Sequence, residues 1–360
     1  MKIPAVIQVI NRLLIMALGL VGVVHLQGCS VSPSKAENTS VSQSLKPILS
    51  PPLLHVANED PKLHTAYDYI LLNSQTQQPL SVSQLATELK DTDVIFIGEF
   101  HGNHASHLLQ SQLQTLLYQQ RPNQILSMEQ FNRDQQGILN QYLDHEVGEA
   151  HLINEAPAWE NYAGSYRPLV EFAKQHFLPV IAANAPADTV RCIGRQGEVY
   201  LEKLTEEEAN LIAQQPLVDV EGYRDFFMDF LNGSSHFDEA KANNSYLAQL
   251  SRDNTMAESI LNALNANTGA QVIHTNGAFH SNNGLGTVGA LKRLNPKLKI
   301  KIISPVHVDA EQPMQFSPED YEKGDYLSLL QPQPEKYLKA SNRQLAFKRM
   351  FKNADAKLCR

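Results

Sequence analysis

The sequence contains few cysteines, no excess of basic residues and none of several familiar catalytic motifs. Three cysteines in 360 residues are too few for a disulfide scaffold. The formal net charge of −8 argues against a nucleic-acid partner, because nucleic-acid-binding domains carry a basic face. There is no Gly-x-Ser-x-Gly, no glycine-rich phosphate-binding loop and no Cys-x-x-Cys, so the corresponding hydrolase, nucleotide-binding and redox classes have no support. The remaining composition, 42% hydrophobic, is that of an ordinary globular protein.

The first 30 residues are typical of an exported protein. Leu13–Leu26 is an apolar stretch with two glycines, and it is shorter than the roughly 20 apolar residues that a membrane span needs. A secretory signal fits better. The stretch ends in Gly28-Cys29, which resembles the lipobox of bacterial lipoproteins. The resemblance implies cleavage before Cys29 and a lipid anchor on that residue, and Ser30 in place of an aspartate favours the outer membrane. The alternative is an uncleaved signal-anchor.

Beyond the signal peptide (1–28), the sequence divides into a tether, a body and a tail. Residues 29–60 lack periodicity and predict a flexible tether. In residues 61–310, short apolar runs alternate with helical patterns, which predicts an α/β fold: a mostly parallel sheet with helices on both faces. The stretch from about residue 188 to 265 is helical throughout in pattern and predicts a helical insertion or lid. Residues 311–360 are predicted to form a C-terminal tail with one short helix at Ser341–Lys352.

Polar side chains follow the apolar runs at the points where predicted strands end. Glu99 and His101 follow Val94–Ile97, Glu129 ends the next strand, and His280 follows a later one. Parallel strands bring their carboxyl ends to one edge of a sheet, so we expect these side chains to share a cleft. Glu99, His101 and His280 can then ligate a divalent metal, or the glutamates can act as a general acid and base. For any one of these residues alone, a cap or a turn is the commoner explanation.

A second set of residues has the chemistry to hold an aromatic acid or to cover a flat, apolar ligand. Tyr162, Tyr166 and Arg167 lie close together in the sequence; a phenolate can ligate ferric iron, and an arginine pairs with carboxylates. Tyr223 begins an aromatic segment of the helical insertion that can cover such a ligand. His104 lies in the first turn of the helix after the Glu99 strand. Each has a plainer alternative: core packing for the tyrosines, a helix start for Arg167 and a surface position for His104.

Five sequence blocks resemble, in the same order, the ChaN-like haem-binding uptake proteins of the Tiki superfamily. The first block, Gly98-Glu99-x-His101, resembles the family's Gly-Glu-x-His motif. Many members have an aspartate after this histidine, where the present chain has Gly102. If that aspartate orients the histidine, its role is missing here or falls to Asn103. The other blocks are Met128–Gln136, Trp159–Pro168, Pro179–Pro186 and Asn276–His280.

The resemblance implies a haem-binding lipoprotein on the periplasmic side of the outer membrane, acting in iron acquisition. Haem is then the cofactor, and a homodimer and an outer-membrane haem receptor are the implied partners. More distant relatives, the Tiki metalloproteases and erythromycin esterases, imply the alternative of a metal-dependent hydrolase that uses Glu99, His101, Glu129 and His280. Haem binding without catalysis is favoured, and a non-catalytic interaction module is a third hypothesis. The resemblance leaves open which tyrosine or histidine meets the haem iron.

Two cysteines remain beyond the tether, Cys192 and Cys359. An oxidising compartment outside the cytoplasm permits a disulfide between them. The alternative is that Cys359, the penultimate residue, stays unpaired in a loose tail. The sequence does not decide between the two.

Overall fold

The computed structural model describes residues 62–156, 159, 161–232, 238–355 and 358–360. The predicted signal peptide, the lipidation site Cys29 and the tether to residue 60 lie outside these ranges. Within the described ranges, no helix combines the length and the apolar character that crossing a membrane requires. All described residues belong to one compact unit, residues 58–360.

Strands and helices alternate along most of the described chain. The strands are β1 Tyr69–Asn73, β2 Gln78–Leu80, β3 Val94–Glu99, β4 Gln124–Asn132, β5 Val180–Asn184, β6 Gln271–Gly277, β7 Ile300–His307 and β8 Tyr326–Leu330. The helices are α1 Val82–Leu89, α2 His104–Gln120, α3 Gln136–Leu143, α4 Glu149–Glu155, α5 Tyr162–Ser165, α6 Arg167–Gln175, α7 Ala187–Gln196, α8 Glu206–Ala209, α9 Tyr223–Asn232, α10 Glu239–Ala266, α11 Gly286–Leu294 and α12 Ala340–Asp355.

The strands of the described ranges form one sheet in the order β2-β1-β8-β7-β3-β6-β4-β5. The six strands from β8 to β5 are parallel to their neighbours, whereas β1 pairs antiparallel with β2 and β8. The predicted α/β class with a mostly parallel sheet is therefore confirmed. In the register of the central strands, Glu99 lies beside Gly277 and Met128 lies beside Thr275. The carboxyl ends of β3, β4 and β6 thus meet at one edge of the sheet.

Side chains of the central strand β3 alternate between the two faces of the sheet. Ile95 and Ile97 pack against α1 and α2. Val94 and Phe96 pack against α10 and α11 on the other face. This alternation is the strand period of two, and it explains why both faces of the sheet carry helices. Glu99 continues the row of Ile95 and Ile97, so its carboxylate points toward α2.

The described part of the region between β5 and β6 contains the helices α7 to α10, with a non-helical stretch at 210–222. Its longest helix, α10, does not act as a lid. Ala257, Ile260 and Ala263 of α10 belong to the same buried cluster as residues of β3, β4 and β6. The 28-residue helix therefore forms a layer of the core. Only α9, which carries the predicted aromatic segment, remains as a candidate cover.

The prediction of a C-terminal tail from residue 311 is wrong for Tyr326–Leu330. This segment is β8, buried throughout and paired with β1 on one side and β7 on the other. A run of five residues is too short to distinguish a strand from a loop without knowledge of its neighbours. The predicted helix Ser341–Lys352 is present as α12. Cys192 and Cys359 form a disulfide, so the end of the chain is attached to α7.

Arg133 joins the turn after β4 to α10, and we expect its removal to destabilise the fold. Its Nε donates to Ser259 Oγ at 2.9 Å, and its guanidinium pairs with Glu258 at 3.2 Å. Arg133→Met leaves Glu258 without its partner, so the free energy of unfolding should fall by about 3 kcal/mol in urea denaturation. Lys62→Met breaks the exposed pair with Glu311 and should cost less than about 1 kcal/mol. Equal losses for the two variants would contradict the assignment.

Candidate functional site

The ends of β3 and β6 line a cavity of about 780 Å³. Glu99 ends β3, His101 follows it, and His280 lies in the short turn after β6. Glu129 of β4 lies next to His280, 3.4 Å from Oε1 to Nε2. The structure thus brings together the four residues that the sequence predicts at the carboxyl ends of strands. They meet because the parallel register places their strands side by side.

Glu99 is a buried carboxylate surrounded by donors. Its Oε1 lies 2.7 Å from His101 Nδ1 and accepts the Tyr166 hydroxyl at 2.5 Å. Its Oε2 accepts the side-chain amide of Gln110, on α2, at 2.6 Å. The His101 ring packs edge-on against Trp159, with 4.5 Å between ring centroids. Glu99 therefore fixes the orientation of His101, whose side chain is 44% exposed and faces the cavity.

Glu129 and His280 form a second acid–imidazole pair on the neighbouring strands. Glu129 Oε2 accepts the backbone amide of Gly277 at 2.6 Å, which holds the carboxylate against β6. His280 Nδ1 lies 2.7 Å from Asp253 Oδ1. The Tyr223 hydroxyl donates to the other oxygen of Asp253 at 2.7 Å. The His280 ring is thus held between two buried carboxylates, one at each nitrogen.

The two pairs meet at Gly277. A Cβ at this position would lie 2.7 Å from His101 Nε2 and 3.6 Å from Glu129 Oε2. A side chain would therefore displace the His101 ring. Glycine allows the imidazole of one pair and the carboxylate of the other to approach the same backbone position.

The charges of the four groups reinforce one another. Burial raises the pKa of both glutamates, but the neighbouring imidazoles outweigh it and hold the pKa of Glu99 and Glu129 below its ordinary value. Burial lowers the pKa of both histidines, but the carboxylates outweigh it. The pKa of His101 is raised, and that of His280 is raised to about 10. The charged form is favoured in each case, so His280 is an imidazolium at neutral pH.

Another part of the cavity lining is aromatic. The Phe279 ring, in the turn after β6, lies 4.9 Å from the Phe226 ring and 4.9 Å from the Phe230 ring of α9, and 6.0 Å from the Phe227 ring. All four side chains line the cavity, and we call them the phenylalanine wall. Positions three and four apart share a face of a helix, which is why α9 presents this group together. The Phe230 side chain remains 58% exposed.

A third histidine lines the same cavity. His307 is the last residue of β7, and its ring lies 3.8 Å from the ring of Phe100. Neither nitrogen of His307 has a hydrogen-bond partner among the residues that the structure describes. Burial and the charge of Lys323 lower the pKa of His307, which favours the neutral imidazole. His307 therefore differs from His101 and His280, which are both bound to carboxylates.

The three tyrosines predicted to bind a cofactor do not line the cavity. Tyr162 packs in the core formed by β4, β5 and α6. Tyr166 and Tyr223 are also buried, and their hydroxyls bind Glu99 and Asp253. A buried phenol needs an acceptor for its hydroxyl, and these carboxylates provide one. Tyr166 and Tyr223 thus hold Glu99 and Asp253 in position from the side away from the cavity.

His104 and Arg167 also lie away from the cavity, against the prediction that they contact the ligand. His104 stacks on Tyr67, with 5.1 Å between ring centroids, beside a separate pocket of about 210 Å³. Arg167 is paired with Glu149 at the protein surface. The side chain of Asn103 donates to the backbone carbonyl of Gln331, so the first turn of α2 lies against the chain that follows β8.

Glu99, His101 and His280, the predicted metal ligands, are not among any cluster in the described residues that could hold a metal ion. Nowhere in the described ranges are three histidine, cysteine, aspartate or glutamate side chains arranged to hold a metal ion. The carboxylate of Glu99 is already occupied by three partners, His101, Tyr166 and Gln110. The residues therefore fit ion pairs between carboxylates and imidazoles, and no metal-dependent step follows from their geometry.

The glycine after the motif histidine has a structural explanation. Gly102 has a φ of +79°, which favours glycine over an aspartate. Asn103 does not orient His101. Its side chain caps α2, accepting the amides of Ala105 and Ser106. The orienting carboxylate is Glu99 itself.

Two residues of the site escaped the sequence analysis. Asp253 lies in the middle of α10, where one acid among polar helix positions gives no signal. His307 could have been found, because it ends a predicted apolar run in the same way as Glu99 and Glu129 do.

A family model and one solved structure agree with this architecture. The family model described as haem-binding uptake, Tiki superfamily, ChaN matches residues 85–291. A solved structure described as cofacial heme binding to ChaN of Campylobacter jejuni is 16% identical, covers 74% of this chain and 98% of its own, and has a TM-score of 0.53. A mutant of the erythromycin esterase EreC in its open conformation is 13% identical over 78% of this chain and 87% of its own, with a TM-score of 0.39. A comparison with curated proteins gives no match.

The pKa of His280 makes the stability of the fold depend on pH. Its folded pKa of about 10 lies above the ordinary 6.5, so its contribution is complete below pH 6.5 and is lost as the pH rises through 10. Asp253→Asn removes one of the two charges that raise this pKa. For one proton, the free energy of unfolding can fall by at most about 1.4 kcal/mol per pH unit above pH 6.5. In urea denaturation, this decline should be shallower for Asp253→Asn than for the unsubstituted chain.

The exposed substitution Asp144→Asn, away from His280, is the control and should leave the decline unchanged. An identical decline in Asp253→Asn and in the unsubstituted chain would contradict the charge arrangement.

Proposed function

The chain belongs to the ChaN haem-binding uptake family of the Tiki superfamily, and we propose that it binds haem in the cavity beside Glu99, His101 and His280. The observation that carries this proposal is the composition of the cavity lining. Five phenylalanines and three histidines line one space of about 780 Å³. Apolar surface for a flat macrocycle and imidazole for iron are the two things that a haem site needs.

The cavity suits a planar apolar ligand in size and in chemistry. Sites for organic ligands and cofactors commonly measure about 300–1,000 Å³ and are lined mostly by apolar and aromatic side chains. The phenylalanine wall provides ring faces and edges against which a porphyrin can pack. Phe279 touches the other three members of the wall, so the wall is held as a unit.

The hydrogen bonds of the three histidines favour His307 as the residue that would hold the iron. His280 has a carboxylate at each nitrogen. His101 is bound to Glu99 through Nδ1 only, but this carboxylate raises the pKa of His101 and so favours the imidazolium, which has no lone pair for a metal. His307 has neither nitrogen engaged with another described residue. An imidazole must offer a free nitrogen lone pair to bind a metal. Bound haem would supply a ferric iron centre at this place.

Anchoring and assembly complete the proposal. The lipobox-like sequence at Cys29 supports a lipid anchor in the outer membrane, after a signal peptide (1–28) and before a tether (29–60), with the body on the periplasmic side. The related Campylobacter jejuni structure is described as binding cofacial heme. The exposed Phe230 at the cavity supports a homodimer in which two such cavities face each other. Haem acquisition, with an outer-membrane haem receptor as partner, is the role that these features support.

The alternative function is hydrolysis by a general acid and base. The observation that favours it is the buried series Asp253–His280–Glu129, in which one carboxylate orients an imidazole beside a second carboxylate. His280 borders the cavity, where a substrate would bind. Haem binding takes precedence because the acid–imidazole pairs explain only the polar part of the cavity, and the phenylalanine wall is left without a use.

Titration with hemin tests the proposed function. The chain from Ser30 onward contains every described element, and at micromolar concentration it should give a saturable change in the Soret absorption. Phe230→Ala removes apolar contact from the wall, so haem affinity should fall about tenfold. Phe177→Ala, an exposed phenylalanine outside the cavity, is the control and should bind as the unsubstituted chain does. The absence of any saturable change would refute haem binding.

The assignment of the iron ligand has its own spectroscopic test. His307→Ala should shift the Soret and visible bands of the bound haem, because it removes the imidazole that would hold the iron, even where apolar packing retains the haem. His104→Ala, outside the cavity, should leave the spectrum unchanged. A normal spectrum in His307→Ala would contradict the assignment while leaving haem binding itself intact.

A further inference from the structure

The end of the chain has a charge opposite to that of the whole. Residues 336–360 contain eight lysines or arginines and one aspartate, whereas the chain as a whole has a net charge of −8. We call these residues the basic segment. A positive region in an acidic protein is not needed for solubility, since the remainder already supplies net charge. It calls for a partner of negative charge.

The basic segment also exposes large apolar side chains. Leu338 is 89% exposed, Leu345 50%, Phe347 50% and Leu358 90%. Phe347 also lines a shallow depression of about 540 Å³ with Lys336, Tyr337 and Arg343. Basic and apolar side chains are therefore interleaved on the same short stretch. A purely electrostatic partner such as a nucleic acid would leave the apolar groups without a use.

The helix of the basic segment has no support from the body of the protein. No side chain of α12 that the structure describes belongs to a buried apolar cluster, and nearly every described residue of 332–349 is exposed. An isolated helix of this length is marginal in water. A surface that covers the apolar side chains would stabilise α12.

Both ends of the basic segment are nevertheless fixed. It begins a few residues after β8, and it ends at the disulfide between Cys359 and Cys192 of α7. The terminal Arg360 also pairs with Glu208, 2.9 Å from Nη2 to Oε1. The segment is therefore presented on the protein as a strap.

We propose that the basic segment binds an anionic phospholipid surface. Short helices that combine basic residues with exposed leucine and phenylalanine lie in the membrane interface, where the apolar groups enter the acyl boundary and the cations meet lipid phosphates. This proposal needs neither haem binding nor the lipid anchor. With a lipid on Cys29, it would hold the body of the protein against the membrane to which it is tethered.

Vesicle co-sedimentation tests this proposal. The chain from Ser30 onward, which lacks the predicted lipidation site, should sediment with phosphatidylcholine vesicles that contain phosphatidylglycerol and not with phosphatidylcholine alone. Substituting Lys336, Lys339 and Arg343 by glutamine should weaken binding more than about tenfold, since each basic residue near the surface contributes to the attraction. Substituting Leu338 and Phe347 by serine should also weaken it.

The matched control replaces the exposed lysines 90, 297 and 299 by glutamine, which removes the same charge outside the basic segment. It should bind the anionic vesicles as the unsubstituted chain does. Equal binding to both vesicle types, or equal loss in the control and in the basic-segment variant, would overturn the proposal. So would self-association through α12 without vesicle binding, which would make this face an interface between two copies.

Discussion

The contact between the buried carboxylate of Glu129 and the imidazole of His280 is the constraint on which the site depends. Burying either charged group alone would cost several kcal/mol. The buried pair is stable only because each group also has a second hydrogen-bonding or charged partner. The Gly277 amide holds the carboxylate, and Asp253 holds the far nitrogen of the imidazole. The parallel register of β4 and β6 brings these groups within reach. The chemistry of the site therefore depends directly on the strand order of the sheet.

The architecture separates two kinds of work. The strand ends provide the acid–imidazole pairs that form the polar part of the cavity lining. Tyr166 and Tyr223 bind the acids from the core side. The helical region before β6 contributes apolar contact through α9, whose rings meet Phe279. A ligand in the cavity would then face fixed charge on one part of the lining and adaptable aromatic surface on another. This division suits a ligand with a metal centre in an apolar ring.

The sequence predicts the parts of the site that depend on local pattern. Glu99 and Glu129 end apolar runs, and a parallel sheet must bring such ends together. Asp253 could not be predicted, because its role arises only when α10 packs under the turn that carries His280. Chemistry alone predicts Tyr162, Tyr166 and Tyr223 at the ligand, but the fold directs the hydroxyls of Tyr166 and Tyr223 toward buried acids instead. The sequence does not predict β8, because a run of five residues with a serine at its centre becomes a strand only between β1 and β7.

Neutron diffraction at neutral pH tests the central claim most directly, because it locates hydrogen on each atom of the pair. The account predicts hydrogen on both nitrogens of His280 and none on the carboxylate oxygens of Glu129. A neutral imidazole beside a protonated Glu129 would contradict it, and would mean that desolvation, rather than pairing with Asp253 and Glu129, governs the charges of the site.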